Sequence, residues 1–157
     1  MDPLLQSAIL SMLPVAELRG GIPLAIYNGF DPLLALAVGV AANFAIIPVI
    51  FLFLDYLHVH FMKIRWYKRV FDHFLEHTRR RMHRHVERYG YWALFFFVAM
   101  PLPLFGGYTG TLGAWFFEME RKKALLVIAG GLLLSGIIVT AIVVGGVKAL
   151  SIFVGAP

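Results

Sequence analysis

The sequence predicts an all-helical integral membrane fold, and three observations carry that prediction. Apolar residues make up 60% of the 157-residue chain and charged residues only 15%, far from the usual globular balance of roughly half apolar and a quarter charged. Mean hydropathy is +0.78. Two runs, Leu33 to Leu54 and Ala124 to about Val147, carry no charge and are long enough to cross a bilayer core of about 30 Å. Two further apolar segments are each broken in the middle by proline and glycine: Pro14 to Pro23 and Met100 to Gly110. Broken hydrophobic segments at corresponding places in two halves of a chain are the sequence-level pointer to a transporter's substrate site.

Taken in order, residues 1–30 read as a first re-entrant hairpin, apolar at both ends and interrupted at Pro14 to Pro23. Asp31-Pro32 is a helix-start signal, a cap residue followed by proline in the first turn, and opens a transmembrane helix over 31–55. Residues 57–89 form a basic linker in which Tyr67, Val70, Phe71, Phe74, Leu75, Met82, Val86 and Tyr89 recur at helical spacing. With Arg and His on the opposite face, this is an amphipathic helix suited to lying on the cytoplasmic membrane surface. Residues 90–117 read as a second re-entrant hairpin and 124–147 as a second transmembrane helix.

Charge placement decides the topology. The basic residues gather in a central stretch, from Lys63 to Arg88, and at Arg121, Lys122 and Lys123. Were 90–117 a single crossing, the two clusters would face opposite sides, against the positive-inside rule. As a hairpin that enters and returns, it keeps both clusters cytoplasmic. Each half then makes one net crossing, so the expected architecture is two inverted repeats, each a hairpin plus a transmembrane helix, within a single membrane domain of residues 1–157.

The formal charge of +5 does not argue for nucleic acid, because the cations flank apolar segments and accompany no nucleic-acid motif. Their expected partners are anionic lipid headgroups. The absence of cysteine excludes disulfides and thiolate sites, and no positively charged leader precedes the first apolar run. His73-Phe74-Leu75-Glu76-His77 matches an H-x-x-E-H zinc pattern. It lacks a third ligand or a cleft, so the reading carries no metal, no cofactor and no enzyme. Histidines that tune lipid binding near neutral pH are the expectation there.

Glu17 and Arg19 are the only charges between Pro3 and Phe30. A charge at membrane depth costs several kcal/mol and faces a partner or a watery cavity. Two compatible readings stay open: a mutual ion pair that holds the hairpin tip shut, or a substrate and proton site with Arg19 on an anionic headgroup and Glu17 exchanging protons. Gly20, Gly21 and Pro23 fit a tight reversal followed by a new helix. Pro101, Pro103, Gly106, Gly107, Thr109 and Gly110 fit the same role in the second hairpin. The helix N-termini after each break would present free N–H groups suited to phosphate or carboxylate. Asn43, Pro48, Ser135 and Thr140 are read as helix-packing positions.

Glu17-Leu18-Arg19-Gly20-Gly21-Ile22-Pro23, with Pro101-x-Pro103 and Gly106-Gly107-Tyr108-Thr109-Gly110, resembles the prokaryotic family of small multidrug export proteins over nearly the whole chain. That family is similar to the wider DedA/VTT superfamily, which implies paired re-entrant hairpins, an intramembrane acidic and basic pair at Glu17 and Arg19, and movement of lipid carriers across membranes. This chain is shorter than typical DedA proteins and lacks a charge in its second hairpin. The expected function is a proton-coupled, multi-pass transporter of the prokaryotic plasma membrane moving an anionic, lipid-linked substrate. The alternatives are a small-molecule or multidrug exporter and a non-transporting membrane scaffold. So few elements hardly enclose a pathway alone, so a homodimer or larger assembly is expected.

Overall fold

The structure, a computed structural model, describes residues 2–61, 63–66, 68–73, 76, 90–102 and 105–154. Pro103, His77 and the basic and apolar positions of 77–89 lie outside the described residues. Among the described residues there are seven α-helices and no strand: α1 Pro3–Ser11, α2 Glu17–Tyr27, α3 Pro32–Leu52, α4 His58–Phe61, α5 Tyr91–Ala99, α6 Gly107–Phe116 and α7 Arg121–Val154. A π-helical turn, Phe53–Leu57, joins α3 to α4. Asp2 and Asp31 begin helices for one shared reason. Each carboxylate accepts a first-turn N–H, Leu4 at 2.8 Å and Leu33 at 2.9 Å, with proline next in the chain.

Among the described residues, 32–57 and 121–146 are the two helices long and apolar enough to cross a membrane. Their windows bury only 28% and 33% of residues. Leu33, Val49, Leu52, Leu126, Leu133 and Ile142 instead turn outward. An exposed apolar surface on this scale suits lipid rather than water. The two helices run antiparallel: Asp55, at the end of the first, pairs with Arg121, at the start of the second, while Gly136 packs on Leu36 and Val40 toward the far end.

The two broken segments fold into pairs of short helices of nine and eleven residues, and nine and ten. At about 1.5 Å per residue, none reaches across a core of about 30 Å. In the first pair Ser7 Oγ donates to the Gly21 carbonyl at 2.6 Å. In the second, the Glu120 N–H donates to the Tyr91 hydroxyl at 3.1 Å, which brings the two ends of the segment together.

Three local expectations are corrected. The first reversal lies at residues 12–16, ahead of Gly20, Gly21 and Pro23, and all three sit inside α2. The glycines there serve close packing: a β-carbon on Gly21 would overlap Ser11 Oγ and lie 2.6 Å from the Ser7 carbonyl oxygen. The linker is not one continuous helix either, since α4 ends at Phe61 and Lys63 and Ile64 form a turn and bend before helical residues recur at 65–66 and 68–73. The first long helix also passes Asp55 without ending, because the π turn carries the backbone bonding on to His58, whose N–H donates to the Phe53 carbonyl.

Candidate functional site

The tips of the two hairpins meet beside the middle of α3. Asn43 lies eleven residues after Pro32 and Leu132 eleven after Arg121, each roughly 17 Å along its helix, and both border Gly107 at the start of α6. Here the backbones approach closely because the residues are small. A β-carbon on Gly107 would lie 2.7 Å from Asn43 Oδ1 and 2.9 Å from Ile47 Cδ1.

Glu17 opens α2 in a left-handed conformation, φ +46°, which costs a residue with a β-carbon about 1–2 kcal/mol. Its side chain is 7% exposed and reaches across to the other hairpin, accepting from the backbone N–H groups of Tyr108 and Gly107. The helix receiving it has no side-chain cap of its own, since its cap residue is Gly106 at φ +144°. Gly106 is required twice over. Its dihedral favours glycine, and a β-carbon there would overlap the Glu17 carboxylate.

One more bond crosses this seam, and two others brace the first tip. The Tyr108 hydroxyl donates to the Met12 carbonyl in the first tip. Asn43 Nδ2 donates to the Ser11 carbonyl at 3.0 Å, while its Oδ1, buried, has no partner among the described residues. Ser11 Oγ in turn bonds the Ser7 carbonyl at 2.9 Å.

A cavity of about 680 Å³ extends from the seam along α3 toward the basic end of the long helix pair. Its walls are mainly apolar, with Ile46, Ile50, Phe53 and Leu112 among them, and its polar groups are Glu17, Arg19, Tyr108 and Thr109. Arg19 forms no ion pair with Glu17 and no hydrogen bond among the described residues. No direct ion pair joins the two; Arg19 acts on Glu17 through space, and the carboxylate's hydrogen bonds go to the second hairpin.

Of the sequence-derived site residues, Glu17, Arg19 and Thr109 line the cavity, and Gly106 and Gly107 form the seam. Gly20 and Gly21 pack on α1, and Gly110 packs on Val98 of α5. Pro23 lies within α2, and Pro101 lies in the second tip without lining the cavity. Sequence reasoning gave Tyr108 no role beyond its place in the family motif, beside the Gly-Gly pair, and read Asn43, the one amide in an otherwise apolar span, only as a helix-packing position.

At the basic end, Asp55 accepts from Arg121 Nη2 at 2.5 Å and from Trp115 Nε1 at 3.1 Å. Arg121 also lies over the Phe51 ring, 4.9 Å from its centre. The π turn presents Asp55 to both partners, so α3, α6 and α7 are tied at one level. Among the described residues no cluster of three or more His, Cys, Asp or Glu is placed to hold a metal ion.

A family model described as "Putative small multi-drug export protein" matches residues 17–138. No curated protein and no solved structure matches the chain.

Proposed function

The chain belongs to the putative small multi-drug export protein family, and from that premise we propose that it is a multi-pass transporter of the prokaryotic plasma membrane. Its substrate would occupy the cavity at the hairpin tips. The observation that carries the substrate class is the contrast between the two charges there: Glu17 is engaged by two backbone N–H groups, while Arg19, which acts on Glu17 only through space, lines an apolar cavity with no hydrogen bond or ion pair of its own among the described residues. A guanidinium so placed suits a phosphate or carboxylate, and the long apolar wall suits a hydrocarbon body. The proposed substrate is therefore an amphipathic anion, a lipid-linked phosphate such as a polyprenyl phosphate or a phospholipid. Glu17 exchanges protons as access alternates.

In this reading both hairpins are re-entrant and enter from opposite faces, forming an inverted repeat akin to the DedA/VTT superfamily. Anionic lipid is recruited by Lys63, Arg65, Lys68 and Arg69, which are exposed at the basic end. A homodimer completes the pathway, and crosslinking in native membrane that yields only monomers removes that part.

Flux into proteoliposomes tests the substrate class. Lipid phosphate is expected to move, with Arg19→Gln slowing it more than tenfold. Undiminished flux in that variant overturns the headgroup assignment. The family name favours a second reading, export of cationic drugs, in which Glu17 would have to leave its N–H partners to meet the cation. Faster flux of cationic drugs than of lipid phosphate, lost in Glu17→Gln and kept in Arg19→Gln, would establish that reading instead.

A further inference from the structure

The seam between the tips has an asymmetry that bears on how it opens. The first N–H groups of α6 need an acceptor, and the local cap residue, Gly106, has no side chain to offer. The acceptor comes instead from Glu17, in the other hairpin. A hydrogen bond to an ionised carboxylate is roughly twice as strong as a neutral one, and the N-terminal end of a helix favours negative charge. Protonation removes both advantages at once. Around it, the Tyr108 hydroxyl bond to Met12 is neutral, and Asn43 Oδ1 lies against Gly107 without a bond. Among the described residues the Glu17 carboxylate is thus the acidic group that bridges the seam.

We propose that the Glu17 carboxylate is a proton-operated latch: ionised, it clamps the N-terminus of α6 to the first hairpin tip, and protonated, it lets the two tips part. The groups facing it are few. Tyr108 comes from α6 and Arg19 from its own helix. Among the described residues, the segments before Glu17 and the body of α3 contribute Pro14, Val15, Ile46, Val49 and Ile50 to the cavity wall, none of them charged. Glu17 also gives up a left-handed backbone if it swings away. The cavity already reaches toward the basic end, and the latched tips border its other end. Parting the tips extends the cavity toward the Asp31 end of α3 and joins the two halves of an alternating-access path. Only this last consequence rests on the transport reading; the latch itself does not.

Val15 and Leu102 are exposed, one on each tip, and the chain has no cysteine, so paired spin labels at these two positions report tip separation in lipid nanodiscs. On acidification a longer distance is expected to appear, its ratio to the latched distance rising about tenfold per pH unit for a single proton. Glu17→Gln is expected to show the longer distance at every pH. Distances that ignore pH in the parent chain, or a pH response that survives Glu17→Gln, overturn the latch. If Glu17→Gln does not fold, Tyr108→Phe replaces it. Loss of the second hook should move the transition to higher pH, and an unmoved transition overturns the proposal as well. Because this measurement reads no flux, tips that part in a protein moving no lipid phosphate would keep the latch and refute the substrate assignment.

Discussion

A single methyl group separates this seam from a different one. Gly106→Ala would place a β-carbon on the Glu17 carboxylate at a dihedral that favours glycine, an overpacking cost of about 1–3 kcal/mol before backbone strain is added. Thermal unfolding in detergent is expected to fall accordingly, and Glu17→Ala in the same background should recover part of the loss by vacating the space. Asn43 gives a second residue-level prediction. Asn43→Ala removes the bond to the Ser11 carbonyl, worth about 1 kcal/mol. Asn43→Asp loses the donor and adds a charge at membrane depth, costing roughly 2.5 kcal/mol or more. Aspartate should therefore be the more damaging change in the same unfolding assay; equal losses would show that Asn43 is not buried against the first tip. Glu17 and Arg19 stood out in the sequence because they are lone charges in an apolar segment. That Glu17 would turn to the backbone of residues 107 and 108 was illegible, because the pairing spans some ninety positions and its donors are backbone N–H groups, which no residue type announces.

Elements were legible where a local rule suffices. The helical class and the two long apolar helices follow from composition and run length, and Asp31-Pro32 carries its own capping chemistry. Pro23 misled because proline opens helices more often than it sits inside them, and here α2 accommodates it after Gly20 and Gly21 have already packed on α1. The π turn at Phe53–Leu57 had no sequence signal at all. Its role is visible in the contacts it serves, the pair of Asp55 with Arg121 and Trp115. The Arg121 side chain is 46% exposed, so screening limits the pair to about 1 kcal/mol. A double-mutant cycle of Asp55→Asn and Arg121→Gln is expected to give a coupling of that size, shrinking as salt is raised. His58, next to this turn, is 8% exposed, with Phe71 and Trp115 rings at 4.0 and 5.5 Å. Burial lowers its pKa from 6.5, against a smaller opposing effect of Asp72. The folded protein holds His58 neutral while the unfolded chain takes up a proton, so its contribution is complete above pH 6.5 and is lost as pH falls toward the lowered value. Stability should fall on acidification below pH 6.5, and the response should flatten in His58→Phe.

For the whole molecule, the geometry of the long helices constrains the topology. The Asp55 and Arg121 pair brings the start of α7 level with the end of α3, so Lys122 and Lys123 share an end of the molecule with Lys63 and Arg65. A positive-inside arrangement then makes that end cytoplasmic. If the first hairpin is re-entrant, both its ends, Asp2 and Asn28, lie on the opposite side. All of Asp2, Asn28, Lys63 and Glu118 are exposed, and the cysteine-free chain allows one thiol at each position in turn. In intact cells an impermeant reagent should label Asp2→Cys and Asn28→Cys, while Lys63→Cys and Glu118→Cys react only after the membrane is opened. Asp2→Cys and Asn28→Cys on opposite sides would make α1 and α2 together an ordinary crossing. In either topology the Met12 to Ala16 backbone at membrane depth must be covered by protein. Tyr108 and Asn43 already supply part of that cover, bonding the carbonyls of Met12 and Ser11. The same bonds that join the two tips thus solvate the first break, so a variant that separates the tips must let water reach the backbone that Tyr108 and Asn43 now satisfy.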